Sequence, residues 1–123
     1  MPIKDPKRFC ESILAIDNQI ISAALVSFAG TEIANALRPS APLFMPNFSE
    51  LAKKQAAPLI SGVEAFSKGQ EVLGELEEIV VIFKRLKAII IVSRPDQLVI
   101  AVIAMRGAED KRIAFQVSNL LDQ

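Results

Sequence analysis

Side chains able to do chemistry are few here, and their spacing excludes most reactions. Cys10 is the only cysteine, and histidine is absent altogether. A thiol near a helix start can be acidified into a nucleophile. Cys10, however, stands beside Phe9 on an apolar stripe, with no imidazole to activate it, and reads as a packed small residue. Without histidine there is no Ser-His-Asp triad, no Cys-His pair and no histidine-ligated zinc. Gly69 and Gly74 have the glycine spacing of a phosphate-binding loop, but Glu75-Leu76 follow where Lys and Ser or Thr are required. Glu75, Glu77 and Glu78 could hold a divalent cation, although a solvated acidic turn is the commoner meaning of such a run. Arg38, Arg85 or Arg94 could present a cation to a phosphoryl group, and no spacing singles one out. The expectation is a protein that is not an enzyme and takes no cofactor or metal.

Composition points the same way. Fourteen basic and fourteen acidic residues cancel, so no global field favours nucleic acid or an anionic membrane. Aromatic side chains for base stacking are limited to seven Phe. A single thiol excludes internal disulfides and suits a reducing cytoplasm. Hydrophobic residues make up 51% of the chain and mean hydropathy is +0.36. The longest apolar stretch, Ile79 to Met105, is cut by Lys84, Arg85, Lys87, Arg94 and Asp96, so no membrane insertion is expected. The N-terminus has no apolar signal core, and Pro2 replaces the glycine of a myristoylation site. Surplus apolar side chains are then best explained by an interface between subunits.

The elements that position these residues can be read from pattern, and they form one domain over 1–123. Asp5-Pro6 opens a first helix, with Phe9, Ile13 and Ile16 on one stripe, ending near Asp17-Asn18. Ile20–Phe28 is apolar on both alternating faces, as an interior strand should be, and Ala29-Gly30 turns it into a second strand over Thr31–Leu37. Three prolines, Pro39, Pro42 and Pro46, make Arg38–Pro46 an irregular connection that carries Leu43-Phe44-Met45. Asn47 and Glu50 have the spacing of a capping box for a helix running to Ser67, with Ala52, Ala56, Leu59, Ile60, Val63 and Phe66 on one face and a kink expected at Pro58. A strand over Glu77–Lys84, a turn at Arg85-Leu86-Lys87 and a hairpin of Ala88–Ser93 and Leu98–Met105 about Arg94-Pro95-Asp96-Gln97 follow. Glu109–Leu121 closes the chain as a helix with Phe115 opposite its apolar arc. The order α-β-β-α-β-β-β-α implies an α+β fold, a five-stranded antiparallel sheet with helices on both faces.

One segment of that sheet asks for a partner. Glu77–Lys84 should be an edge strand, yet Ile79, Val80, Val81, Ile82 and Phe83 are an unbroken apolar run. A bare edge of that kind invites a second chain. Glu77-Glu78 before it and Lys84-Arg85 after it would face each other across an antiparallel two-fold, which fixes the register. The alternative is a strand covered by its own helix. Phe44 and Phe115 are further candidates for a partner surface, with Glu50, Lys53 and Lys54 as a polar rim on the second helix.

The element order and several local runs resemble the Roadblock family, the dynein light-chain domain also found in bacterial and archaeal regulators of small GTPases. The residues that carry the resemblance are Ile13-Leu14-Ala15-Ile16, Ile21 to Gly30 (Ile-Ser-Ala-Ala-Leu-Val-Ser-Phe-Ala-Gly), Ile33-Ala34 and Leu98 to Ile103. Ala24 stands where the family often has glycine, and the Arg38–Pro46 connection is longer than usual. Longin and profilin domains share much of this topology. The resemblance implies a homodimer or heterodimer whose third strands join into one sheet, with second helices side by side, and here a homodimer is expected, with Leu59 and Val63 among the contacts. It also implies that the second helix meets a small Ras-like GTPase or a scaffold. The competing class is a PAS-like or longin-like sensor, whose mark would be a small-molecule cavity inside one subunit.

Overall fold

The computed structural model describes residues 3–41 and 47–123, without the side chains at 48, 49 and 51–53. Its element order is α1 (Pro6–Leu14), β1 (Ile20–Ser27), β2 (Glu32–Leu37), α2 (Phe48–Ser67), α3 (Gln70–Leu73), β3 (Glu78–Ile82), β4 (Leu86–Ser93), β5 (Leu98–Met105) and α4 (Asp110–Leu121). The five strands form one antiparallel sheet in the order β2-β1-β5-β4-β3, which leaves β2 and β3 at the edges.

Local chemistry explains most boundaries. The Asp5 carboxylate accepts from the Arg8 amide at 3.1 Å and Pro6 follows it, a capped start for α1. Gly30, at φ 87°, supplies the left-handed residue of the β1–β2 turn, where its N–H donates to the Ser27 carbonyl at 2.9 Å. The expected capping box at Asn47 does not form. Asn47 is itself left-handed, at φ 64°, and its side chain makes no capping bond, so α2 starts without one. The turn between β3 and β4 is tighter than its composition suggested. Phe83 N–H donates to the Leu86 carbonyl at 2.8 Å, leaving Lys84-Arg85 as the loop and placing Leu86 and Lys87 in β4.

Two cores result, one on each face of the sheet. On the first, Cys10 and Ile13 of α1 and Ile113 and Val117 of α4 pack against Leu25, Ile89, Ile100 and Val102. Burial pushes the Cys10 thiol up to about 11, so it is neutral at physiological pH. On the second face, Ala56, Ile60 and Val63 of α2 cover Val26, Ile90 and Val99.

Two cations, Arg38 half-buried and Lys87 buried, fasten the first layer. Arg38 donates through Nε to the Ile20 carbonyl at 2.6 Å and through Nη2 to the carbonyls of Leu14 at 2.5 Å and Asp17 at 3.0 Å. It therefore ties the C-terminus of α1 to the start of β1, satisfying carbonyls that a helix end leaves unpaired. Lys87 sits at the start of β4, where its Nζ donates to the Ala108 carbonyl at 2.9 Å and pairs with Asp110 at 3.1 Å, holding the first turn of α4 to the sheet.

Candidate interaction surface

Side-chain alternation along β3 is fixed by its pairing with β4. Ile79 lies opposite Ile90 and Val81 opposite Ala88, on the α2 side, and Phe83 continues that side beyond the strand end. Glu78, Val80 and Ile82, opposite Ile91, Ile89 and Lys87, lie on the α1–α4 side. Backbone direction follows from two bonds flanking the ladder. Phe83 N–H donates to the Leu86 carbonyl and Val92 N–H to the Glu77 carbonyl, so odd-numbered residues point their polar groups inward to β4. The N–H and C=O of Glu78, Val80 and Ile82 therefore point out of the sheet. Side-chain exposure agrees with a bare edge: Val81 is 36% exposed, Ile82 59% and Phe83 58%. Among the described residues, α2 packs over Val26, Ile90 and Val99 and leaves Val81 and Phe83 uncovered, while Ile82 is exposed on the other side of the sheet.

Glu78 brings charge to this edge. One of its carboxylate oxygens, Oε2, is buried without a hydrogen-bond partner. Burial first, then the charges of Asp110 and Glu77, raise its pKa above the ordinary carboxylate range, against a smaller opposing pull from Lys111.

Other expected contact residues fall in different places. Leu59 is half-buried beside the second core, but Val63 is buried within it. Val63 thus faces its own sheet and offers a partner no surface, because the helix turns that stripe inward. Glu50 and Lys54 are exposed on α2, whereas Phe44 lies outside the described residues, as does the side chain of Lys53. Phe115 is 67% exposed on α4, on the opposite side of the sheet from α2. Phe66 is exposed too, although its spacing had placed it on the inward stripe of α2. Val72 and Leu73 are exposed on α3, a one-turn helix hidden in the sequence between Gly69 and Gly74. Of the three arginines, Arg38 is held within its own chain, Arg94 donates to Ser67 Oγ at 3.0 Å, and Arg85 is exposed in the β3–β4 loop.

Among the described residues no cluster of His, Cys, Asp or Glu has the arrangement of a metal site, and no helix is long and apolar enough to cross a membrane. What the geometry offers instead is surface: an antiparallel sheet with one apolar edge unpaired among the described residues and hydrophobic side chains beside it.

A domain of this architecture belongs to the α+β class, and solved structures specify which fold. The chain superposes on MglB from Myxococcus xanthus with a TM-score of 0.77 at 14% identity, covering 99% of this chain and 93% of that one. It matches a Roadblock/LC7 domain from Streptomyces avermitilis with a TM-score of 0.74 at 16% identity, covering 97% and 93%. The gliding protein MglB from Thermus thermophilus gives 0.73 at 16% identity, covering 93% and 83%. No family model matches the sequence, and no curated protein does. The fold is that of Roadblock/LC7 domains.

Proposed function

We propose that this chain is a non-enzymatic adaptor that dimerises through β3 and binds a small Ras-like GTPase or a scaffold complex. The observation that carries this reading is the unpaired β3 edge, apolar in side chains and open in backbone. A two-fold axis at Val81 satisfies both the outward backbone groups and the flanking charges. In that register Val80 exchanges hydrogen bonds with the partner's Ile82, Val81 meets its own copy, and Glu78 faces the partner's Lys84. The Roadblock/LC7 fold and the resemblance of the sequence supply the GTPase part of the proposal. Function would then follow from unequal affinity for the two nucleotide states, which shifts the GTPase toward the conformation bound better.

The test is light scattering on the purified chain, followed by its use as bait for Ras-like GTPases loaded with GDP or a non-hydrolysable GTP analogue. Twice the chain mass, and capture that differs between nucleotides, is expected. A monomer that retains no GTPase in either state overturns the reading.

The register also predicts a pH dependence. Alone, Glu78 has a raised pKa, so its charged form penalises the folded chain; the penalty is absent below the unfolded pKa and complete above the folded one. Lys84 of the partner would favour the charged carboxylate and lower that pKa. Dimerisation should therefore strengthen as pH rises through the titration of Glu78 and weaken as acidification protonates it. Sedimentation equilibrium on wild type and Glu78→Gln measures this, and the glutamine variant should flatten the dependence.

A further inference from the structure

On the α2 side of the sheet, α2 closes over Val26, Val99 and Ile90, and the next residues along the strands form a floor that its described side chains flank through Gln55, Ala56, Pro58 and Leu59. Ser22, Ile103, Ala88 and Val81 make one cross-strand row, and Ala24 and Ala101 begin the row beside it. Three of these six are alanines and one is serine, so the floor is depressed. Between it, Leu59 of α2 and Phe83 lies a cleft of about 770 Å³, within the range of small-molecule sites.

Ser22 gives the cleft chemistry. It lines the floor and is 1% exposed, and its Oγ has no hydrogen-bond partner. Buried hydroxyls are nearly always bonded, because leaving one unpaired costs free energy. We propose that the cleft binds a neutral, largely apolar small molecule with one hydrogen-bonding oxygen, which Ser22 Oγ meets. A charged head is disfavoured at that depth, since no ionisable side chain lies in the floor to compensate it. Among the described lining residues the ionisable ones are Glu32, Lys84, Arg85 and Lys87, and the Lys87 ammonium is turned away to Asp110 on the other face of the sheet. Leu59, Val81 and Phe83 line the cleft and also border the proposed dimer contact, so the inference rests on the cleft staying open beside that contact, and the Ile82→Lys monomer separates the two.

Nile red, which is neutral and carries one carbonyl, is a suitable probe, with 2-undecanone and undecanoate as competitors. The expected result is one Nile red per chain, displaced by 2-undecanone at lower concentration than by undecanoate. Ser22→Ala should weaken the ketone about fivefold, the equivalent of one neutral hydrogen bond. Ala101→Phe should fill the cleft and abolish binding while far-ultraviolet circular dichroism stays unchanged; if it fails to fold, Ala24→Leu fills the same space. Ile82→Lys lies on the opposite side of the sheet and removes edge pairing without touching the floor, so its binding should match wild type. Absence of Nile red binding, or binding indifferent to both filling variants, overturns the proposal. So does binding that appears only in Ile82→Lys, which would assign this face to a second copy of the chain.

Discussion

Val81→Lys is expected to convert the dimer into a monomer. Val81 lies on the proposed two-fold, so one substitution places two ammonium groups directly against each other where two valines would otherwise pack. Each copy also loses the burial of the exposed third of Val81, roughly 0.5–1 kcal/mol. Together these should weaken association by at least about tenfold. The chain itself should tolerate the change, because Val81 is 36% exposed in one copy and lysine can extend to solvent there. Sedimentation velocity at micromolar concentration is the measurement, with Phe115→Lys as a control on the far side of the sheet. A Val81→Lys protein that keeps the dimer mass would remove β3 from the interface.

Arg38→Ala should be the most destabilising single change outside the apolar cores. The guanidinium serves three carbonyls from two elements, and its removal leaves those of Leu14, Asp17 and Ile20 without this donor. Charge-assisted bonds of this kind contribute more than neutral ones, and the loss should be about 2–4 kcal/mol. Urea denaturation would show a lower midpoint with an unchanged slope. Arg38→Lys should recover only part of the loss, because an ammonium cannot reproduce a planar fork reaching two elements at once. The same bonds explain why Arg38 is a poor candidate for an arginine finger. Its Nε and Nη2 donors are already used within the chain.

How far the sequence reaches depends on whether the interaction concerned is local. Asp5-Pro6 announces the α1 cap because the bond closes within three residues. The alternating apolar faces of β1 announce an interior strand because the period of two is a property of the backbone itself. Element order and edge-strand character were legible for the same reason, and the fold matches what the Roadblock resemblance implied. Asn47 shows the limit of local reasoning. Its spacing to Glu50 fits a capping box, yet the backbone arrives left-handed and the box cannot close.

Non-local placement is what pattern could not supply. Nothing around Lys87 says that its ammonium will meet the Ala108 carbonyl and Asp110, more than twenty residues away. The spacing of Val63 puts it on an apolar helical stripe but does not say whether that stripe meets its own sheet or a partner's; the tertiary structure turns it inward. Ser22 is one polar residue in an apolar run, and only strand register places it in a floor with Ala24, Ala88 and Ala101.

By itself, then, the sequence determined the main elements and their order, short of the one-turn α3 and the tight β3–β4 turn, together with the lack of histidine and the apolar character of β3, all matters of composition and short-range periodicity. The tertiary structure decided which stripe of α2 is buried, which backbone groups of β3 face outward and where the second face of the sheet stays open. These depend on how distant segments meet, and side-chain packing between them fixes that only once the chain has folded.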